Sequence, residues 1–202
     1  MNERTWCLDF GHGGVINGIY QTAPKKMYKF PDGELAYEGV FNRVLGNIIM
    51  HIANAHNLHN VVICPTNLDL SLELRVDFAN SLHKVYRNCV YLSLHANAGK
   101  GTGFEIWTSP GQTKSDEYAD MFAKEIIADF PNEKFRRDTS DGDLDKESNF
   151  YVLKHTNCPA VLFENMFFDN REDWDKMKNP SFQGKLAECI VRVMRKINDL
   201  NN

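Results

Sequence analysis

The sequence predicts an α/β protein, a single domain built on a mostly parallel twisted sheet of about six strands with helices on both faces. Three observations predict it. Short apolar runs alternate along the chain with longer segments whose apolar residues recur at helical spacing, the order that builds parallel strands joined by crossover helices. A length of 202 residues suits one core and is short for two. Hydrophobic residues at 43% beside charged residues at 25% describe a folded domain rather than a disordered chain.

Each element follows in order. Residues 6–10 form a short apolar strand ending at Gly11, and Gly13 and Gly14 let the backbone turn just past His12. Residues 15–34 (VINGIYQTAPKKMYKFPDGE) are too rich in Lys, Pro and Gly for a helix, so a long functional loop is expected. From residue 35 to 55, Phe41, Leu45, Ile48, Ile49 and Ile52 recur as on one helical face. Residues 61–64 are a strand closed by Pro65, after which Asn67 or Asp69 is expected to cap a helix carrying Leu72, Leu74, Val76, Phe78, Ala79 and Leu82. Residues 89–94 read as a buried strand, and 103–108 (GFEIWT) alternate as a partly exposed one. A helix is expected over 115–130, a charged surface loop over 135–149, a strand over 160–163 and a closing helix over 182–200.

Several function classes lose ground on composition. A net charge of −4 offers no broad positive field for nucleic acid or an anionic membrane. Cys7, Cys64, Cys89, Cys158 and Cys189 are odd in number, lack C-x-x-C spacing and lie mostly in apolar runs, so buried free thiols in a reducing compartment are expected. The start MNERTWCLDF has no basic segment leading into a long apolar one, and no run approaches the ~18 apolar residues that span a bilayer. Cytoplasmic synthesis without a signal peptide, and no integral membrane segment, are the expectations.

The chemistry is expected at strand ends. In open α/β sheets ligands bind beyond the carboxyl ends of the strands, where His12, His95 and Glu164 fall. A hydrolytic zinc site keeps three protein ligands, often two histidines and a carboxylate, and leaves a position for water. Glu34 and Glu38 both lie near the end of the long loop, where a helix dipole favours either, and periodicity does not choose between them. Glu164 closes the apolar run PAVLFEN beside Met166, Phe167 and Phe168; partial desolvation would raise its pKa toward that of a general base. Asp9 is expected either to orient His12 through a hydrogen bond or to serve the turn.

The remaining polar residues read more blandly. His51, His56 and His59 gather at the end of the first helix as solvated or capping residues, His83 lies on a helix, and His155 precedes Cys158 without a clear acidic partner. Asn97 either reaches substrate or binds its own backbone. Arg75 and Asn80 suit a helix surface or a buried hydrogen bond. Asp138, Asp141, Asp143 and Asp145 lack the spacing and terminal Glu of a calcium loop, so a solvated loop is expected. Cys158, between Asn157 and Pro159, reads as inert despite nearby His155.

The segments DFGHGG, YEGVFNR, SLELRVDFAN, YLSLHANA, GFEIWTS and YVLKHTNCPAVLFENMFFDN, followed by the closing helix, cover nearly the whole chain in this order. In that order it resembles the zinc-dependent N-acetylmuramoyl-L-alanine amidases of the Amidase_3 type. The resemblance implies that one zinc per chain is held by His12, Glu38 and His95, with Glu164 as the catalytic glutamate. Glu38 is preferred to Glu34 because the family's ligand glutamate precedes an asparagine by four positions, as Glu38 precedes Asn42. The chain departs from the pattern at Phe10, where the family usually has proline, and in the loop over 15–34, which is longer than in compact members.

The implied activity is hydrolysis of the amide between N-acetylmuramic acid and L-alanine in peptidoglycan, with Asn97 as a substrate-binding residue. The expected setting is a phage or prophage endolysin or other autolysin acting on the cell wall, released on lysis in the first case. Residues 1–202 are expected to form one monomeric catalytic domain without a separate wall-binding domain. Two alternatives accompany this reading. A zinc peptidase cutting the stem peptide is disfavoured by the absence of H-E-x-x-H. A non-catalytic wall-binding module is disfavoured because all four site residues are present.

Overall fold

The fold is described from a computed structural model over residues 4–140 and 142–200. In chain order its elements are β1 (Thr5–Phe10), β2 (Val15–Ile16), β3 (Ile19–Tyr20), β4 (Met27–Lys29), β5 (Leu35–Tyr37), α1 (Glu38–Ala55), β6 (Asn60–Val62), α2 (Leu72–Tyr86), β7 (Cys89–Asn97) and β8 (Phe104–Thr108). They continue with α3 (Lys114–Asp129), β9 (Lys146–Glu147), α4 (Tyr151–His155), β10 (Ala160–Phe167), α5 (Arg171–Met177) and α6 (Pro180–Asp199). Six strands form the central sheet in the order β6-β1-β7-β10-β8-β9. The first four run parallel, β8 is antiparallel to β10, and β9 runs parallel to β8.

Side-chain alternation divides the core between two faces. On one face Trp6, Leu8 and Phe10 of β1, Val90, Leu92 and Leu94 of β7, and Val161 and Phe163 of β10 pack under α1, α3 and α6. On the other, Cys7, Tyr91, Ala160 and Leu162 meet Val76 and Ala79 of α2 and Val152 and Leu153 of α4. Both faces are covered, which is why these strands read as continuous apolar runs. Further along the second face the same alternation presents Asp9, Ser93, His95 and Glu164 instead. Polarity switches on at one end of one face, and the candidate site lies there.

The structure corrects several local expectations. Residues 15–34 are not an unstructured loop: β2 and β3 form a hairpin whose turn, Asn17-Gly18, has positive φ at both residues, as a two-residue turn matched to strand twist requires. β4 pairs antiparallel with β5, so α1 starts at Glu38 rather than at Leu35. Ser71, not Asn67 or Asp69, caps α2 by accepting from the Leu74 amide, because only the residue immediately before the first turn can reach its free N–H groups. β8 is largely buried rather than half exposed, since β9 flanks it. β10 runs through Glu164 to Phe167 with a register irregularity, and two short helices, α4 and α5, are too brief to show periodicity.

All five cysteines are buried free thiols, as expected. Among the described residues no helix is long and apolar enough to cross a membrane. Asn80 joins α2 to the segment after α4, accepting from the Asn157 amide at 2.7 Å and donating to the His155 carbonyl at 3.0 Å.

Candidate metal centre and active site

The loop after β1 carries His12, and its glycines are spatial necessities. A Cβ on Gly11 would lie 2.3 Å from the His95 ring, and one on Gly39, in the first turn of α1, would lie 2.0 Å from the Gly13 carbonyl oxygen. These two close approaches bring His12, His95 and the start of α1 together. His12 itself has φ 64°, a left-handed conformation that costs a non-glycine residue free energy and persists only when its surroundings enforce it.

That enforcement comes from Arg75, which α2 buries beneath the loop. Its guanidinium donates to Asp9 Oδ1 at 2.5 Å, to the Phe10 carbonyl at 3.0 Å and to the His12 carbonyl at 3.2 Å. Asp9 also accepts from the Ser93 hydroxyl at 2.8 Å. Burial pushes the Asp9 carboxyl up, but the Arg75 charge, His95 and the Ser93 hydrogen bond together hold it below its ordinary value. Asp9 therefore acts on His12 through Arg75 and the main chain rather than by a direct bond to the imidazole. Arg75→Met would leave a buried carboxylate unpaired, an error worth about 3–5 kcal/mol. Denaturant unfolding is expected to give a loss of that order, and a loss below about 1 kcal/mol would contradict the role.

Glu38, the first residue of α1, has a fully buried side chain. Its Oε1 lies 3.0 Å from His95 Nδ1, 3.2 Å from the Ala96 amide and 3.2 Å from His12 Nε2. The two imidazoles meet edge to face with centroids 4.8 Å apart. One potential ligand atom from each of His12, Glu38 and His95 lies within 4.8 Å of the others, a grouping able to hold a metal ion. Glu34 points elsewhere, bonding Trp174, Arg171 and Lys178. Of the two glutamates that periodicity left open, Glu38 is the one that lies with both histidines.

Glu164 pairs in register with His95 on one side and Glu105 on the other. Its Oε2 is buried without a hydrogen-bond partner, as are His12 Nε2 and Glu38 Oε2. His12 Nε2 and Glu38 Oε2 have only charged neighbours, Glu38 Oε1 at 3.2 Å and Lys26 Nζ at 3.5 Å, and buried polar atoms left without a hydrogen bond mark a place built for something further. Burial raises the Glu164 carboxyl from 4.5 to about 7, with the charges of Glu38 and Glu105 adding and those of His95 and Lys26 opposing. Burial lowers His12, reinforced by the charge of His95. For His95 the contacts to Glu38 outweigh burial, and its pKa rises. Glu38 stays ionised because both imidazoles outweigh its burial.

The Glu164 shift has a measurable sign. A carboxyl raised on folding contributes stability that is present below pH 4.5 and lost as pH rises to about 7. Over that window the metal-free protein is expected to lose stability relative to its Glu164→Gln variant. Denaturation curves that stay parallel across it would show that Glu164 is not buried as a neutral acid.

Supporting residues, among them several that the sequence left unmarked, surround this group. Lys26 Nζ lies 3.5 Å from Glu38 Oε2, and its carbonyl accepts from the Glu38 amide at 3.1 Å. The Tyr20 hydroxyl bridges the Lys26 carbonyl and the Gly39 amide, and Asn42 donates to the Gly11 carbonyl. Beyond the register irregularity, Asn165 donates to the His95 carbonyl at 3.0 Å. Asn97 donates to Glu105 Oε2 at 2.9 Å, and its Oδ1 accepts from the Ala98 amide. Glu105 is also held by Arg136 at 2.6 Å and Lys146 at 3.0 Å.

The Amidase_3 family model, described as N-acetylmuramoyl-L-alanine amidase, matches residues 7–196. The chain belongs to this family. It is 39% identical over 183 residues to the N-acetylmuramoyl-L-alanine amidase CwlM of Bacillus licheniformis, covering 89% of this chain and 63% of that one. It is 23% identical over 189 residues to an endolysin of Bacillus phage SPP1, covering 93% and 63%. The chain thus spans less than two thirds of the length of either relative. Among solved structures, the N-acetylmuramoyl-L-alanine amidase from Clostridium difficile 630 matches over 98% of both chains with a TM-score of 0.78 and 26% identity.

Proposed function

We propose that this chain hydrolyses the amide between N-acetylmuramic acid and L-alanine in peptidoglycan, using one zinc ion held by His12, Glu38 and His95. The observation that carries the reading is the convergence of these three donors beside Glu164 in a chain of the Amidase_3 family. Two imidazoles and one carboxylate fit zinc, and the buried atoms of His12 and Glu38 that make no hydrogen bond are where a cation would be accepted. When bound, zinc supplies Lewis acidity at the scissile carbonyl and makes water acidic enough to attack near neutral pH.

The rest of the mechanism belongs to the chain's own residues. Glu164 Oε2 takes a proton from the attacking water and returns it to the departing alanine nitrogen, a task suited to a carboxyl near pH 7. Arg75 fixes the His12 main chain, so that loop and ligand do not move while charge develops. Asn97 contributes to substrate binding with its second Nδ2 hydrogen, the first being held by Glu105. Because the substrate is a polymer, this reading requires an open groove at the site, with the hairpins before Glu38 and the turn after β7 as its walls. The setting we favour is an endolysin of phage or prophage origin or another autolysin, monomeric and acting on the cell wall.

Digestion of purified peptidoglycan by the zinc-loaded protein, with product analysis, tests the reading. New L-alanine amines without new reducing sugars are expected. Amines arising only inside the stem peptide would replace the amidase by a peptidase, and bound wall without any product would leave a binding module.

A further inference from the structure

A second group of acids lies away from the His12 site, at the other end of β8. Asp116, Asp143 and Asp145 each place one carboxylate oxygen within 4.8 Å of the others. Asp116 and Asp145 are buried, with 5% and 1% exposure, and the burial of Asp145 corrects the expectation that its acidic loop is solvated. Asp141, read with them in the sequence, lies outside the described residues.

The hydrogen bonding cannot satisfy two ionised groups here. The Thr108 hydroxyl lies 3.0 Å from Asp116 Oδ1 and 2.6 Å from Asp145 Oδ2, and a hydroxyl has one hydrogen to give. Asp116 has other support, because its Oδ2 completes the capping box of α3 with Thr113. Asp145 has no such donor: its other side-chain neighbour is Asp143, a second acid, and its Oδ1 is buried without a hydrogen bond. The neighbouring lysines are engaged elsewhere, Lys114 with Glu117, Lys124 with Asp120 and Lys146 with Glu105. A cleft of about 460 Å³ lined by Gln112, Thr113, Asp116, Asp120 and Asp143 opens the group to solvent. A buried carboxylate with at most a shared donor requires either a proton or a cation.

We propose that Asp116, Asp143 and Asp145 bind a calcium ion, at a site separate from the His12 centre. All-oxygen donors select a hard cation, and oxygens up to 4.8 Å apart can share one ion at calcium's usual 2.3–2.6 Å. Calcium tolerates an irregular donor set completed by water, whereas magnesium demands near-octahedral order. Its role is to pin the charged segment before β9 to the start of α3. Lys146 follows Asp145 directly and holds Glu105, which sits opposite Glu164 in the sheet. The ion thus fixes one edge of the candidate groove, and the proposal stands whether or not the zinc reading does.

The test is calorimetric calcium titration and thermal unfolding of the zinc-loaded full chain. At a hundredfold excess over Kd, calcium is expected to raise Tm by roughly 5–10 °C. Asp145→Asn should abolish both the heat of binding and the rise while leaving bound zinc unchanged. Should that variant not fold, Asp143→Asn, at the rim, is expected to weaken calcium binding at least tenfold. No binding at millimolar calcium, or a rise that survives the substitutions, overturns the proposal. So does a calcium-insensitive wild type that Asp145→Asn stabilises, which would mean that the acids share a proton.

Discussion

Glu164→Gln is expected to lower turnover by about 10²–10⁴-fold while leaving zinc content unchanged. The magnitude is that of losing a positioned general base. Gln fills the same volume on β10 and keeps an oxygen in place, but it cannot carry a proton through the cycle. Its position explains the selectivity of the effect. Glu164 is the register partner of His95 without being one of the three grouped donors, and its buried Oε2 has nothing to lose in hydrogen bonding. Peptidoglycan turnover and metal analysis on one preparation decide the matter. Loss of zinc in this variant would make Glu164 a ligand and leave the reaction without its assigned base.

His95→Ala is expected to remove both metal and activity. Removing a hydrogen bond that merely supports a metal ligand costs about 10–100-fold in affinity, and deleting one of three direct donors must cost more. A second consequence follows from the fold. The His95 ring lies against the position where Gly11 lacks a Cβ, so the alanine variant opens space beneath the His12 loop and frees Glu38 Oε1 from its 3.0 Å contact. Equilibrium dialysis against zinc should show the metal lost at concentrations that saturate the wild type. Retention of full metal content would move the site away from His95.

Much of this site is legible in the sequence because it grows out of strand periodicity. The apolar runs ending at His12 and containing His95 and Glu164 mark three strands, and the rule that open α/β sheets bind ligands at strand carboxyl ends puts all three residues together. Glu38 was less legible, since helix dipole arguments suit Glu34 equally; only the family pattern, and then the salt bridges that hold Glu34 elsewhere, separate them. Arg75 is 66 positions from Asp9, and nothing local in SLELRVDFAN says that its side chain turns inward. The Asn17-Gly18 pair is a turn signal that the reading of 15–34 as one loop passed over, whereas the continuation of β10 past Glu164 depends on its pairing with β7 and β8. Burial of Asp145 has no signal in a segment so charged, because it follows from β9 pairing with β8.

Zinc-edge X-ray absorption of the metal-loaded protein tests the central claim most directly, since it reports the donors without reference to activity. One zinc per chain with imidazole nitrogen and carboxylate or water oxygen at about 2.0–2.2 Å is the result predicted for His12, Glu38 and His95. A shell containing sulfur at about 2.3 Å, or one unchanged by His95→Ala, would contradict it.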